Sequence, residues 1–334
     1  MNWKNFLQSR GAEFKDDIFI DFGAPNQEAQ LVSSATTITP LLNHAILRFS
    51  GSDVREFLAN MLSNDIHKVS STTAQYSSWC THQGRVIATL FLFEYQGLIH
   101  ALVADDLVLE LLDKFKMFVL RSKVNIEVMD SLFAMEIYGE DANKYLKFLA
   151  KNSYQQFNQE QLVVVRIPGL KPRGLFIGTN KPLQKMWQEL DVNCAPVGVN
   201  AWNLINIRSG IPHVSKQISQ VFLPHMLNMP QIPMVDFKKG CYPGQEVVAR
   251  MHYLGNNKHQ MYRLKVDCDI KPAVGTKLIS DDIKSSRGSG QIVQSALNQD
   301  ANVEALAVLP LESVKNNNVF DQNDNQVTVT TIEY

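Results

Sequence analysis

A strand–glycine–x–aspartate–helix pattern occurs twice in this chain, and it limits the possible folds more than any other feature. The first copy has an apolar strand over 45–49, then Gly51 and Asp53, then a helix with apolar residues on one face over 54–62. The second copy begins 88 residues later, with a strand over 134–138, a glycine turn over 139–141 and a helix lined by Tyr145, Leu146 and Leu149. This repeat predicts two similar βα units. Coincidence is the alternative, because helices commonly begin in this way.

The remaining pattern predicts an α+β region followed by a small all-β domain. Strands are expected over 18–22, 75–80, 85–93, 98–103 and 124–128, a hairpin over 161–178, and helices over 3–10, 107–119, 182–190 and 201–209. A proline-rich connection follows over 211–236, and after Gly255 only five short strands are expected, over 261–266, 276–279, 290–295, 303–309 and 327–332. We therefore predict an α+β region over 1–255, built as two interleaved subdomains, and a β-barrel domain over 256–334.

Composition and charge narrow the classes of partner and of site. The 334 residues carry a net charge of -1, which gives no electrostatic reason to expect direct nucleic-acid binding. No stretch approaches the roughly 20 apolar residues that span a bilayer, and residues 1–6 lack the apolar core of a signal peptide. The four cysteines are scattered with no C-x-x-C pair, which argues against a metal site. We predict a cytoplasmic, monomeric protein without membrane contact.

One cysteine lies in a segment of unusual composition, residues 237–246. Cys241 has two lysines before it and the Pro243-Gly244 pair after it, and Gly240 and Gly244 suggest tight backbone. Pro243 is suited to the first position of a helix, which would place the thiol just before a helix N-terminus and favour its thiolate form. A buried structural cysteine in a tight turn is the alternative.

This segment carries a resemblance to a known family. Lys239-Gly240-Cys241-Tyr242-Pro243-Gly244-Gln245-Glu246 resembles the signature of the folate-binding YgfZ family, whose members support iron–sulfur enzymes and tRNA modification and are related to the glycine cleavage T-protein. The segments 202–212 and 120–124 and the Asn64-Asp65 pair are also similar to the family's pattern. The resemblance covers nearly the whole chain except its first 30 residues.

The resemblance implies a fold, a ligand and partners. The expected fold is α+β, a T-protein-like three-domain ring with the duplicated βα units in the folate-binding region and a C-terminal β-barrel. Tetrahydrofolate or a derivative is expected near the central opening. Iron–sulfur client enzymes or assembly factors are the implied protein partners.

The resemblance also implies site residues. Trp202 matches the second of two family tryptophans implicated in folate binding, and His44 falls where the family has the first. Asn64 and Asp65 are further candidates, although turn and capping roles fit them equally. Cations for the glutamate tail of folate are expected among Arg121, Lys123, Arg208 and Arg250, for each of which a solvated surface charge is the alternative. For Trp202 the alternative is a helix residue packed in the core, and the resemblance favours the ligand role.

Cys241 is the expected functional thiol, and Glu246 is either a general base beside it or an acid that complements the helix dipole. A folate-dependent aminomethyltransferase or methyltransferase is the competing function. The T-protein's catalytic aspartate would fall in residues 84–90, which contain no carboxylate, and its version of the signature lacks the cysteine. Both departures argue against glycine cleavage chemistry. An interaction scaffold without a role for the thiol is the third hypothesis.

Overall fold

The computed structural model describes residues 1–149, 152–159, 161–255, 257–266, 268, 270–279, 290–316, 319–320 and 327–334. The α-helices are α1 (Trp3–Gln8), α2 (Pro25–Ser34), α3 (Val54–Met61), α4 (Val108–Phe118), α5 (Ala142–Tyr145), α6 (Asn180–Leu190), α7 (Val199–Arg208), α8 (Gln245–Tyr253) and α9 (Leu311–Lys315). The first strands are β1 (Glu13–Lys15), β2 (Ile18–Asp21), β3 (Thr37–Pro40), β4 (His44–Ser50), β5 (Gln75–Cys80), β6 (Val86–Tyr95), β7 (Leu98–Ala104), β8 (Asn125–Val128) and β9 (Leu132–Tyr138). The later strands are β10 (Gln156–Gln159), β11 (Leu162–Arg166), β12 (Arg173–Thr179), β13 (Ala195–Pro196), β14 (His259–Val266), β15 (Lys277–Leu278), β16 (Gly290–Leu297), β17 (Val303–Pro310) and β18 (Thr328–Thr330).

Two sheets repeat one topology. The first sheet has the strand order β5-β6-β7-β4-β8, and the second has β10-β11-β12-β9-β3-β13. Each unit runs strand, helix, three strands, helix, strand, and in both the fourth strand pairs antiparallel with the first. The second sheet differs because β3, from the start of the chain, lies between the first strand of its unit and the last. The predicted duplication of βα units is confirmed.

A turn that requires glycine follows the first strand of each unit. Gly51 and Gly139 have φ of +120° and +135°, a region that favours glycine. A Cβ on Gly51 would lie 2.0 Å from the carbonyl oxygen of Lys123, and one on Gly139 would lie 2.6 Å from Cα of Thr36. In each unit these glycines let the segment that enters the neighbouring strand cross directly over the turn.

The two sheets face each other, and helices cover their outer faces. Successive side chains on a strand point to opposite faces of the sheet. On β4, Ile46 therefore belongs to the core between the sheets, whereas Leu47 belongs to the core on the outer face. The inner core lies between the sheets and includes Phe91, Val163 and Trp202. The outer core of the first sheet packs on α3 and α4, and that of the second packs on α1 and α6. The fold class predicted for the duplicated region is therefore confirmed.

The rest of the chain forms a third sheet and a connection to it. The third sheet, β15-β16-β17-β14-β18, curls into a half-barrel. Residues 211–236 run without regular strands and bury apolar side chains such as Phe222, Leu227 and Met234 in a core shared with this sheet. The prediction of no helix after residue 255 was wrong, because the short helix α9 follows β17.

Three further elements differ from the sequence prediction. Helix α2 lies in a stretch that was expected to be polar and irregular, where its few apolar residues, Ala29 and Val32, form a narrow buried face. Helix α5 is only one turn long, whereas a helix reaching Leu149 was expected. Helix α8 begins at Gln245, two residues after the predicted first position at Pro243, because Gly244 adopts a left-handed conformation there. In the part of the chain that the structure describes, no helix has the length and apolarity needed to cross a membrane.

Candidate functional site

A small cavity lies in the inner core, and aromatic rings form much of its wall. Its volume is about 30 Å³, and Trp202 on α7, His44 at the start of β4 and His213 line it. The ring centroid of Trp202 lies 5.1 Å from that of His44 and 5.3 Å from that of His213, both edge to face. The structure therefore brings together the two residues, His44 and Trp202, that the family resemblance placed at the folate site.

A buried polar network fixes the indole of Trp202. Its Nε1–H donates to Oε2 of Glu136 at 3.0 Å. The guanidinium of Arg173 donates to both oxygens of that carboxylate, at 2.6 and 2.9 Å, and also to Oδ1 of Asn206 at 2.6 Å. Glu136 and Arg173 are 3% and 2% exposed. Trp202 is thus a packed residue, only 5% exposed, whose ring also forms the cavity wall.

Two buried donors in this network have no partner among the described residues. They are Nδ2 of Asn206, whose side chain lines the cavity, and Nη1 of Arg173. A buried donor without an acceptor costs about 1–3 kcal/mol. A flat heteroaromatic ligand with acceptor atoms on its edge, such as a pterin, fits the chemistry of this wall. The cavity itself holds little more than water, so such a ligand must also use adjoining space.

Adjoining space is present on both sides of the histidines. One space, of about 250 Å³, shares His44 with the cavity. Another, of about 460 Å³, shares His213 and is also lined by Lys4, Asn43, Asp105 and Asp106. Each of these spaces thus has one histidine wall in common with the cavity.

Burial keeps both histidines uncharged near neutral pH. It lowers the pKa of His213 to about 4, although Asp106 acts in the opposite direction. Burial, with a smaller contribution from His213, lowers the pKa of His44 well below its usual value. Neutral imidazoles offer one donor and one acceptor each, which suits recognition of an uncharged polar ring edge.

The signature segment lies at the end of β5 that follows Cys80 and is anchored on both sides of its cysteine. On one side, the ammonium of Lys239 donates to the carbonyl oxygens of Ala59 at 2.6 Å and Leu62 at 2.8 Å, at the C-terminus of α3. Burial there lowers the pKa of Lys239 to about 8. The Lys239 nitrogen also lies 4.7 Å from the ring centroid of Tyr242.

On the other side of the cysteine, Tyr242 is buried and Gly244 packs on a turn of the first sheet. A Cβ on Gly244 would lie 2.3 Å from the carbonyl oxygen of Thr81 and 2.6 Å from Cα of Gly84. The φ of +80° at Gly244 also requires glycine. Gly240 differs from the prediction of tight backbone, because its φ is not positive and a Cβ there would meet no atom within 4 Å.

The thiol between these anchors is exposed. Cys241 is exposed, whereas Cys80 and Cys194 are buried and Cys268 is half-buried. The alternative of a buried structural cysteine is therefore wrong for Cys241. Burial raises the pKa of the Cys80 thiol to about 12, which leaves that cysteine unreactive at neutral pH.

A groove of about 520 Å³ adjoins the signature segment. Pro243 lines it together with Glu56 and Phe57 of α3 and with Phe118 and Arg121 at the end of α4. Arg121 is thus placed near the cysteine loop. The backbone N–H of Lys123 donates to Oδ2 of Asp53 at 2.8 Å, and this bond fixes the segment between α4 and β8.

The remaining candidates lie apart from the cavity or serve the fold. Asn64 donates from Nδ2 to the carbonyl oxygens of Tyr76 and Pro233, both at 2.8 Å, and so fastens the 211–236 connection to the first sheet. Asp65 caps a 3₁₀ turn by accepting from the N–H of His67. Arg208 forms an ion pair with Glu304 at 2.7 Å and links α7 to the third sheet.

The candidates on α8 have exposed positions. Glu246 lies in its first turn, where an acid complements the helix dipole, and Arg250 lies in its last turn. Gln245 is the first residue of the helix. This geometry agrees with the dipole interpretation of Glu246.

The structure separates Trp202 from Cys241. Tyr76 lines the Trp202 cavity, whereas Cys80, at the other end of β5, lies near Tyr242. Four residues along a strand span about 13 Å. The cavity wall and the cysteine loop therefore contact opposite ends of β5.

Sequence reasoning missed the polar network beneath Trp202. Glu136 and Arg173 each lie within an otherwise apolar strand, and charged residues are almost never fully buried without a partner. An acid and a base in two strands that are otherwise buried could have indicated that Glu136 and Arg173 form an ion pair. Nothing in the sequence pattern indicated His213 or Asn206.

The chain is similar along most of its length to proteins named tRNA-modifying protein YgfZ. The one from Colwellia psychrerythraea is 25% identical over 310 residues, covering 90% of this chain and 93% of that protein. The one from Hamiltonella defensa is 25% identical over 295 residues, covering 85% and 87%. The one from Buchnera aphidicola is 26% identical over 245 residues, covering 72% and 76%. No protein-family model matches the chain.

A solved structure shares the fold. The glycine cleavage system aminomethyltransferase T from Bartonella henselae superimposes with a TM-score of 0.77, covering 98% of this chain and 95% of that chain at 13% identity. At this identity the likeness establishes the fold alone. The resemblance predicted from the sequence, and the T-protein-like fold that it implied, are confirmed.

Proposed function

We propose that this protein binds tetrahydrofolate or a derivative between its two repeated sheets and acts as an accessory protein for iron–sulfur enzymes and, through them, for tRNA modification. The relatives named above carry tRNA modification in their names. The link to iron–sulfur enzymes is implied by the signature around Cys241. Each part of this proposal can be tested separately, because different residues, Trp202 and Cys241, carry the proposed folate and thiol roles.

The wall of the cavity around Trp202 carries the folate proposal. It combines an aromatic surface, two neutral imidazoles and a buried amide donor that lacks a protein partner. Ligand sites of this kind are mostly apolar with a few polar groups that fix orientation. A pterin ring bound against Trp202 would supply acceptors to Asn206, and its substituent would extend into the space beside His213.

For the glutamate tail, that space offers one cation, Lys4, beside three carboxylates, Asp17, Asp105 and Asp106, so its lining does not attract the tail. The ammonium of Lys4 lies 2.7 Å from Asp17, so an incoming carboxylate would also compete with this exposed ion pair. Arg121, Lys123 and Arg250 lie on other surfaces, near the cysteine loop and on α8. Their predicted role with the tail has no support from their positions.

Cys241 is the functional thiol of the proposal. The anchors at Lys239 and Gly244 hold the short loop between them, so the exposed sulfur has a defined place on the surface. An exposed, positioned thiol suits contact with a partner protein. One cysteine cannot hold a cluster alone, so a partner would supply any further ligands.

A folate-dependent aminomethyltransferase or methyltransferase is the second candidate, and the shared fold favours it. Thr89 is the residue of the 84–90 segment that lines the cavity, and none of the lining residues is a carboxylate. The wall therefore lacks the catalytic carboxylate that the T-protein resemblance would place in this segment. We propose the accessory role over the transferase for this reason.

The folate proposal is tested by titrating tetrahydrofolate, kept reduced, against the protein by calorimetry. We expect Trp202→Ala to weaken binding at least tenfold, since the ring forms the cavity wall. Trp202→Phe keeps a ring and guards against misfolding, and it should weaken binding less. If the wild-type protein binds no folate, the central claim fails.

Cys241→Ala is the matched variant for the thiol. We expect it to bind tetrahydrofolate like the wild type and to lose activity in cells, measured as thiolated tRNA and as activity of iron–sulfur enzymes. If Cys241→Ala retained both activities, the thiol would have no role in them, and the scaffold hypothesis would be supported instead. Turnover of a methylated amine with tetrahydrofolate would instead establish the transferase.

A further inference from the structure

A wide groove lies on the outer face of the second sheet. Its volume is about 660 Å³, and it runs between the end of α5, the start of β11 and helix α6. Leu162 of β11 lines it, whereas the next residue, Val163, points into the inner core beside Trp202. The groove and the Trp202 cavity are thus on opposite faces of one sheet, and one ligand cannot fill both.

The groove carries a local excess of positive charge. Lys144, Lys147, Lys181 and Lys185 line it, and all four are exposed. Lys181 and Lys185 are one turn apart on α6 and therefore share a face of the helix. Glu189 is the acid among the lining residues, and Asp141 pairs with Lys144 at 2.9 Å. The net charge of the whole chain is -1, so it gives no sign of this local excess of lysines.

Exposed aromatic rings lie at the same groove. Phe148 and Phe157 stack with centroids 5.5 Å apart and an interplanar angle of 18°. They are 62% and 37% exposed. The ammonium of Lys147 lies 5.3 Å from the ring centroid of Phe148. A flat apolar surface flanked by lysines suits a ligand that has both planar rings and negative charges.

The first unit shows what fills the equivalent place. There, the groove between α3 and the end of α4 is closed on one side by Pro243 of the signature segment, and Lys239 covers the end of α3. Acidic residues, Asp53 and Glu56, line that groove. The described part of the chain places no such segment over the groove of the second unit.

We propose that the groove of the second unit binds a single-stranded polynucleotide. A base would stack on Phe148, and successive phosphates would bind the ammonium groups of Lys181 and Lys185. Base stacking on aromatic side chains combined with a basic groove is the general means of binding single strands. An acidic peptide would use the lysines but has no use for the phenyl face. This inference does not depend on the proposed folate function.

The test is fluorescence anisotropy with labelled twelve-residue oligouridylate RNA and its oligothymidylate DNA counterpart. We expect saturable binding whose affinity falls with salt, with a slope of about −1.4 in log K against log salt for the two phosphate contacts. The tighter of the two probes identifies the class of natural ligand. Absence of binding by both probes at low salt would overturn the proposal.

Matched variants locate the binding. The double variant Lys181→Gln, Lys185→Gln should weaken binding at least tenfold, and Phe148→Ala about fivefold or more. The control, Lys271→Gln with Lys277→Gln, removes two exposed lysines near the third sheet and should leave the affinity within twofold. An equal loss in the control would show nonspecific attraction and overturn the proposal. Equal competition by an oligoglutamate peptide would also overturn it, in favour of an acidic protein partner.

Discussion

The two repeated units share one topology, but the strand that pairs beside the first strand of each unit comes from a different part of the chain. In the first unit, β8 pairs with β4 and the segment before β8 crosses Gly51. In the second unit, β3 takes that place beside β9, and the segment before β3 crosses Gly139. The last strand of the second unit, β13, is displaced outward and is only two residues long. The comparison shows that a repeated βα motif fixes the architecture without fixing which strand completes the sheet.

Equivalent positions in the two units also have different environments. Arg48 and Glu136 each lie three residues before the turn glycine, and both form an ion pair across strands. Arg48 pairs with Glu127 at the surface, with side chains 35% and 43% exposed. Glu136 pairs with Arg173 in the inner core beneath Trp202. Arg48 thus joins two strands at the surface, whereas Glu136 holds the indole of Trp202 at the candidate ligand site.

The largest expected effect separates these two ion pairs. Glu136→Leu should lower the free energy of unfolding by about 3–5 kcal/mol, because it leaves the Arg173 guanidinium buried and unpaired. Arg48→Ala should lower it by less than about 1 kcal/mol, because the pair is exposed. Urea unfolding measures both. Adding Arg173→Met to Glu136→Leu should recover part of the loss, and equal losses at Glu136 and Arg48 would contradict the comparison.

The turn glycines should respond alike in both units. Gly51→Ala and Gly139→Ala should each lower the free energy of unfolding by about 3 kcal/mol, since both combine a left-handed φ with close backbone contact. Gly97→Ala is the matched control, because Gly97 has φ of +74° but open space around its Cβ position, and about 1 kcal/mol is expected there. A loss at Gly51 or Gly139 no larger than at Gly97 would show that the crossing segments move aside.

Acidification should destabilise the inner core through its histidines. The folded state holds His213 with a pKa of about 4, below its unfolded value of about 6.5, so the folded state binds fewer protons between these pH values. Stability is then complete above pH 6.5 and is lost as the pH falls toward 4, by about 2 kcal/mol, given that the ring is partly exposed. His213→Gln should reduce this loss, measured by urea unfolding across the pH range. His82→Gln, at an exposed histidine of the first unit, should leave it unchanged.

The smallest effect concerns the lysines of the two outer grooves. Lys239→Met should lower the free energy of unfolding by about 1 kcal/mol, because two carbonyl groups at the end of α3 lose their donor. Lys147→Met, at an exposed lysine of the second unit, should change it by less than about 0.5 kcal/mol. If Lys239→Met is neutral, the cost of burying the ammonium offsets its hydrogen bonds.

The sequence predicted the elements better than their assembly. Strands 45–49 and 134–138 and their glycine turns were predicted from local pattern, because hydrophobic period and turn chemistry act over a few residues. The insertion of β3 beside β9 was not predictable, because it depends on a pairing between residues about a hundred positions apart. Helix α2 escaped prediction because a short helix with a narrow buried face leaves a weak pattern.

The candidate site shows the same limit. The resemblance predicted Trp202 and His44, and the structure brings their rings together. Glu136, Arg173 and Asn206, which hold that indole, come from three elements and have no common motif. The sequence analysis expected folate near Trp202 and a functional thiol at Cys241, and the structure places the anchored cysteine loop at the end of β5 away from Tyr76 of the cavity wall. Such separation depends on which end of β5 each segment contacts, and no local pattern records it.

The place of β3 has a consequence for the order in which the protein forms during synthesis. Because β3 and β9 are neighbours, everything between Pro40 and Met135 is a loop of the second sheet, and the entire first unit lies inside that loop. The first sheet can assemble once residue 128 has left the ribosome. In the second sheet, β3 stays unpaired until β9 has emerged at residue 138, and the sheet is complete only with β13 at residue 196. Early collapse of the first unit shortens the effective loop that β3 and β9 must close, which lowers the entropic cost of that late pairing.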